Sequence, residues 1–259
     1  MSTILAAASS APSAAALADA GVDRIIAYHS SAYRTRGLPS VAGLLPWASA
    51  NQQTLDLLPG VVSGAASTPV IATVSANDGM LPRAEMIDAI RAEGAVGVLN
   101  APTVGFYQGV LRSVLDAEGL GRDSELALIQ DASAADLESW AYVFDPEWTR
   151  LAAEAGATGV IVHLGITGYP SPTDAAACVE AARSAGAQRI LLHGGNLVSP
   201  AEFTTTLADF PPLTAGAVSG YMGASVFERA SDVGQAVRQW RAAISRSDAV
   251  STPDDGGRE

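Results

Sequence analysis

The sequence predicts a single (β/α)8 TIM barrel. Three observations predict it: eight short apolar runs, helix-length stretches between them, and a length of 259 residues that suits one barrel. A unit also recurs, in which a helix ends in Gly and a strand follows two or three residues later. It reads LADAGVDRIIAYHS, IRAEGAVGVLNAPTVG, AAEAGATGVIVHLGITG and ARSAGAQRILLHGGN. Gly just past a helix takes the left-handed cap, and repeated helix, Gly, strand units mean parallel βα architecture.

The first strand is expected at Thr3 to Ala8. The surrounding MSTILAAASSAPSAAALADAG is apolar, but it lacks a basic start and contains Pro12 and Asp19, so it reads as a strand and a helix and not as a signal peptide. The second run, Arg24 to Tyr28, precedes a long connection from Arg34 to Leu58. Val70 to Val74 and Val96 to Leu99 follow, the latter opening a second long connection, Ala101 to Leu111. The remaining runs are Trp140 to Phe144, Gly159 to Val162, Arg189 to Leu192 and Ala217 to Tyr221. Branched apolar runs bounded by Gly or polar turns read as buried parallel strands. The barrel is expected over residues 1–246, with a polar tail, residues 247–259, expected to be disordered.

A net charge of -12 and a pI near 4.6 argue against nucleic acid or an anionic membrane as partner. No run of about 18 apolar residues exists to span a bilayer, and a cytoplasmic location is expected. Cys178 is the only cysteine, so no intrachain disulfide or Cys-based zinc site is expected, and its helix-like surroundings suggest a core role. All 15 basic residues are arginine. Without lysine, Schiff-base and pyridoxal phosphate chemistry are excluded.

The 3 histidines each end an apolar run: RIIAYH at His29, GVIVH at His163 and RILLH at His193. Strand exits are where α/β barrels place their chemistry. The same exits deliver Ser75, Asn77, Asp78, Asn100, Asp145 and Ser225. His with a carboxylate suits general acid-base work. His163 and His193 are the expected acid-base pair, His29 a second base or substrate ligand, and Asp78 an orienting group or metal ligand. The rival use of these atoms is an open site for a divalent metal, Mg or Zn, although no HxH or HExxH spacing occurs and no other cofactor is implied. The HGGN turn (His193 to Asn196) and the GYMGAS turn (Gly220 to Ser225) could cradle a phosphate or carboxylate with backbone amides, or could simply permit tight turns. Asn100 and the amides around Gly195 and Gly223 are expected to stabilise an oxyanion. Arg34, Arg36 and Arg112 are candidate anion clamps, and Trp47 caps a pocket or packs in its loop. A small anionic substrate follows.

The stretches AYHSSAYRTRGLPSVAGLLPWASAN, LNAPTVGFYQGVLR, AYVFDPE, AEAGATGVIVHLGITG, LLHGGNLVSPAEF and SGYMGASVFERAS span nearly the whole chain. Together the chain resembles the phosphoenolpyruvate hydrolase-like TIM-barrel family, also called TIM-barrel signal transduction proteins, related to the C-terminal domain of a plant tobamovirus resistance protein. The resemblance implies a homo-oligomeric barrel that hydrolyses an enol phosphate or cleaves a related small acid. It implies substrate-binding roles for Ser30, Arg34, Asn100, Thr103, Gly194, Gly195, Gly223 and Ser225. Gly43, Asn51, Asp78, His163, Gly165, His193 and Glu228 match the pattern as well. Three positions depart from it: His29 replaces an Asn, Ala15 or a neighbour replaces a Lys, and Gln108 replaces an Asp. These changes point to a specialised or different substrate. The leading reading is a His/Asp acid-base hydrolase or lyase. The alternatives are a metal-dependent hydrolase or carbon-carbon lyase, and a non-catalytic metabolite sensor or protein-binding barrel with an apolar patch near the Arg34 to Leu58 connection.

Overall fold

The computed structural model describes residues 2–45 and 47–249. Eight strands form a closed barrel: β1 (Thr3–Ala8), β2 (Arg24–Ala27), β3 (Val70–Val74), β4 (Gly97–Asn100), β5 (Glu138–Val143), β6 (Gly159–His163), β7 (Ile190–His193) and β8 (Gly220–Gly223). Each pairs in parallel with its sequence neighbours, and β1 closes on β8 with Thr3 opposite Gly220. The architecture is the one the sequence predicts, with β1 and β3 at their expected bounds. The largest offset is at β8, expected from Ala217, because residues 215–218 instead close a turn after the short helix Pro212–Ala215.

The recurring Gly has the role its spacing implied. Gly21, Gly94, Gly156 and Gly186, one in each repeated unit, have φ between 78° and 93°, which a residue with a Cβ resists. At the opposite helix ends, Ser10, Ser49, Asp145, Asp174 and Ser199 each accept a hydrogen bond from an amide in the first turn. The long second connection contains a short helix (His29–Arg34) and a 3-10 turn (Ser40–Leu44) before the helix Ala50–Gly64. The helix Val233–Ala249 runs three residues into the stretch expected to be disordered, and residues 250–259 lie outside the described residues. Among the described residues, no helix is long and apolar enough to cross a membrane.

Strand parity divides the core. Leu5, Ile26, Ile71, Leu99, Trp140, Ile161, Leu191 and Met222 fill the barrel interior. Residues of opposite parity, such as Ile25, Ala72, Val98 and Val160, pack under the helices, where Cys178 is also buried. Trp140 plugs the interior, with its Nε1 donating to Glu138 Oε2 at 3.0 Å and the Arg24 and Arg189 guanidinium carbons 5.9 and 6.0 Å from its ring. Gly159 leaves room for it, since a Cβ there would lie 2.5 Å from the indole. Trp140→Ala is expected to cost about 3–5 kcal/mol, measurable as a lower urea midpoint; a loss under about 1 kcal/mol, the range of volume-conserving swaps, would mean that the indole does not hold the barrel.

Candidate active site

The inward parity that places Ile161, Leu191 and Trp140 inside the barrel carries on two residues towards the C-terminal rim, where it delivers His163, His193 and Tyr142 to one layer. His163 and His193 are register partners on β6 and β7, with ring centroids 4.7 Å apart and planes at 87°. Tyr142 stacks on His193 (5.3 Å) and meets His163 edge-on (4.9 Å), while Phe144 stacks on the other side of His163 at 4.9 Å. His163, His193 and Tyr142 border a cavity of about 40 Å³ that Tyr28, Ser30, Arg34, Thr103, Phe106 and Thr167 also line.

Backbone partners fix the two imidazoles with opposite polarity. The Gly165 N–H donates to His163 Nδ1 at 3.1 Å, so that nitrogen carries the lone pair and Nε2 carries the proton. His193 Nδ1 faces the Met222 carbonyl at 2.8 Å, which only accepts, so Nδ1 is protonated and Nε2 is a free base. Among the described residues, the fully enclosed side-chain N and O atoms without a hydrogen bond are Gln53 Oε1 and Ser139 Oγ, so both Nε2 atoms reach the cavity. Burial keeps both rings neutral. It pushes His193 down to about 4, Arg34 adding to the fall and the Met222 contact opposing it, and it holds His163 well below its ordinary value with His193 contributing.

Arg34 supplies the cavity's positive charge. Its Nε and Nη2 hold the Glu228 carboxylate at 2.5 and 2.7 Å, and Nη2 also donates to Ser31 Oγ at 2.7 Å. The guanidinium carbon sits 5.3 Å from the Tyr28 ring centroid. Its Nη1 has no hydrogen bond to a described residue, leaving a donor on a side chain only 5% exposed. Burial acts to lower the Arg34 pKa, but the Glu228 contacts outweigh it and raise it.

The other expected site residues fall elsewhere. His29 follows the outward parity of Ala27, so its ring leaves the barrel axis: Nε2 lies 3.2 Å from the Gly43 carbonyl and 3.0 Å from Ser30 Oγ. It borders a neighbouring cavity of about 420 Å³ together with Asp78, Ser75 and Asn77. Asp78 accepts from Ser49 Oγ at 2.7 Å and from the Met80 N–H at 2.9 Å, and it orients none of the histidines. Asn100 also has outward parity. Its amide spans to the Tyr142 backbone and to Glu125, so all its capacity serves the scaffold. Thr103 borders the first cavity, but its hydroxyl donates to Glu125 at 3.0 Å.

The glycine turns are packing devices. The Gly195 N–H donates to the Gly165 carbonyl at 2.7 Å, and a Cβ on Gly194 would lie 2.1 Å from that same oxygen. A Cβ on Gly223 would strike Phe227 at 2.3 Å. Ser225 opens the short helix Ser225–Glu228, and its neighbour Ala224 borders the cavity instead. Arg36 donates to the Ala32 carbonyl, Arg112 pairs with Asp116, Asp145 caps a helix, and Trp47 packs edge-on against Tyr33 while 54% exposed. Cys178 is a core residue whose thiol burial pushes up to about 12.

Sequence reasoning missed Tyr28, Tyr142 and Glu125. The tyrosines were legible by parity from Ile26 and Trp140. Glu125 was not: it lies on the helix Arg122–Ala134, inside the protein, where it accepts from Asn100, Thr103 and the Val104 N–H. Burial raises it to about 7 against those hydrogen bonds.

These shifts set an expected pH profile of stability. His29, which burial lowers to about 4, and His193 hold their full contribution above about 6.5, the unfolded value, and lose it as pH falls from there through about 4, about 3 kcal/mol each. Glu125 works the other way, its burial penalty being full above about 7 and relieved as pH falls towards 4.5. The histidines outweigh it, so the unfolding free energy is expected to fall by several kcal/mol between pH 7.5 and 4. Equal urea stability at the two values would contradict the buried neutral histidines.

The first cavity does not by itself group ligands for a divalent metal. Among the described residues no three His, Cys, Asp or Glu side chains are grouped to hold an ion. Zn2+ takes three or four protein ligands, whereas Mg2+ is held by one or two carboxylates completed by substrate oxygens and waters. The first cavity offers two imidazoles, and its nearest carboxylate, Glu228, is bound by Arg34.

Comparison with known proteins agrees with this architecture. A family model described as phosphoenolpyruvate hydrolase-like matches residues 1–243. The ToMV susceptible protein tm-1(GCR26) and the ToMV resistance protein Tm-1(GCR237) of Solanum lycopersicum are each 33% identical to this chain over 222 residues, covering 81% of it. The chain spans 29% of the length of these relatives. Among solved structures, phosphoenolpyruvate phosphomutase from Streptomyces platensis subsp. rosaceus superposes with a TM-score of 0.56 at 20% identity, covering 100% of this chain and 88% of the other. A phosphonopyruvate hydrolase complexed with oxalate and Mg2+ gives 0.57 at 19% identity, covering 100% and 87%. Likeness at such identity shows the barrel alone, whereas the family match spans nearly the whole sequence. The chain belongs to the phosphoenolpyruvate hydrolase-like family.

Proposed function

We propose that this protein is a hydrolase or lyase acting on a small carboxylate- or phosphate-bearing substrate, of the enol phosphate or keto-acid type, by acid-base catalysis at the C-terminal mouth of the barrel. The observation that carries the reading is the imidazole pair of opposite polarity facing one cavity with a buried Arg. Family membership supports it, as do the phosphoenolpyruvate and phosphonopyruvate chemistries named for the two barrels of the same fold.

In this reading Arg34 Nη1 binds the carboxylate or phosphate. The His163 Nε2–H donates to the substrate oxygen on which negative charge grows, a neutral donor that needs no reorganisation. His193 Nε2 takes a proton from the attacking water in hydrolysis, or from the hydroxyl next to the breaking bond in a lyase, and returns it to the leaving group. Tyr142, Phe144 and Phe106 surround the pair with rings, excluding water and strengthening each polar contact. With no lysine in the chain, a carbonyl substrate is polarised by these donors and not as an iminium.

The test is a turnover and thermal-shift panel of phosphoenolpyruvate, phosphonopyruvate, oxalate and keto acids. A bound anion at 100 times its Kd is expected to stabilise by about 2.7 kcal/mol. Turnover of one member supports the enzyme. A second reading, a barrel that binds a metabolite or protein without turnover, is favoured by the tomato relatives, which are named for virus susceptibility and resistance and not for a reaction. Binding without turnover across the panel would select it.

A further inference from the structure

We propose that the cavity beside the histidine pair receives an uncharged, hydroxylated arm of the substrate, so that the molecule this protein acts on is a longer acid than phosphoenolpyruvate or pyruvate. The inference rests on the reading of Arg34, His163 and His193 as the site of the acidic head.

The two cavities adjoin and are unequal. The one at the imidazoles measures about 40 Å³ and the neighbouring one about 420 Å³. By the same measure a single water needs about 10–15 Å³, so the first takes an acid head and little else. Leu44, Pro102 and Thr103 border both. At one place they are divided by the hydrogen bond between Ser30 Oγ, on the first cavity, and His29 Nε2, on the second, at 3.0 Å. Gly43 keeps that wall thin, as a Cβ there would lie 2.0 Å from Ser30 Oγ.

The chemistry of the larger cavity differs from that of the head site. Arg34 is the charged residue around the first cavity and Asp78 the charged residue around the second. An anionic arm would therefore meet a carboxylate and no cation. The polar groups are mostly acceptors. The Asp78 oxygens receive one hydrogen bond each and keep unused lone pairs, and Asn77 Oδ1 takes a single donor from Ser75. Gln53 donates to the Tyr33 hydroxyl at 2.7 Å, leaving the phenol's own proton free to donate. Hydroxyls on a ligand would answer these acceptors, and their own oxygens would accept from the Tyr33 and Tyr107 phenols. Leu44, Leu45 and Val104 supply the apolar contact that a carbon chain needs.

Three probes share the head CH2–CO–COO⁻ and differ in the arm: pyruvate carries none, 2-oxoglutarate a carboxylate, and 2-keto-3-deoxygluconate a hydroxylated chain. Calorimetry on the full chain is expected to give 2-keto-3-deoxygluconate at least about 10-fold tighter than pyruvate, the value of one well-placed hydrogen bond to a charged group, and 2-oxoglutarate no tighter than pyruvate. Asp78→Asn is expected to shrink the ratio of the two affinities to within about threefold. Pyruvate binding with no gain from the hydroxylated arm, or an equal gain from the carboxylate arm, overturns the inference and leaves the head site standing. Failure of all three probes to bind overturns both.

Discussion

His193→Asn is expected to lower kcat by about 10²–10⁴ on a substrate the wild type turns over, the usual worth of a positioned general base. The substitution is chosen for what it keeps. An Asn amide placed where Nδ1 now lies still donates to the Met222 carbonyl, so the 2.8 Å tether survives while the Nε2 base is gone. His163→Asn preserves in the same way an acceptor for the Gly165 N–H and removes the Nε2 donor. Its expected loss is about 10²–10³, that of one oxyanion donor. The double variant is expected to lose much less than the product of the two, because the donor and the base act on the same transition state. With burial holding His193 near 4, the pH profile of kcat/KM is expected to stay flat through 6–7, where an exposed histidine would titrate, and to fall only towards pH 4. An acid limb centred near 6.5 would show that the base is some other group or that the site opens to water. Unchanged turnover in both single variants would end the acid-base reading.

How much of this was legible in the sequence follows from what periodicity encodes. The barrel was legible because its signals are local: apolar runs for strands buried on both faces, and Gly at each helix exit. The rim histidines were legible as strand ends, but not which of them meet. That depends on a pleat of two, which turns His163 and His193 inward with Ile161 and Leu191 and turns His29 and Asn100 outward with Ala27 and Val98. Counting parity from the apolar residues would have separated His29 from the pair. No such count reaches Glu125 or Glu228, whose roles arise from contacts to Asn100 and Arg34 across 25 and 194 residues. The glycine turns were ambiguous because a Gly that frees an amide for a ligand and one that admits a neighbouring carbonyl look the same in sequence. Here Gly194 and Gly195 are of the second kind.

Arg34→Met is expected to destabilise the barrel by about 3–5 kcal/mol, the cost of removing one partner of a buried pair. Glu228, whose side chain is only 15% exposed, would keep its charge with Ser31 Oγ as the remaining partner in place of a two-pronged guanidinium. For a domain of about this size the loss corresponds to a Tm lower by about 6–20 °C. Stability alone would not establish a role in binding, because any broken buried pair has this effect. The double variant Arg34→Met with Glu228→Met makes the separation. Replacing both charges by apolar groups of similar length leaves no orphan, and such exchanges are often neutral or stabilising, so its Tm is expected to return close to the wild type. Anion binding is not expected to return with it, since the cavity then holds no cation and keeps only neutral donors such as the His163 Nε2–H. Recovered fold with lost binding would assign Arg34 to the substrate; recovered fold with intact binding would make the pair a strut between the helices His29–Arg34 and Ser225–Glu228 and move the anion site elsewhere.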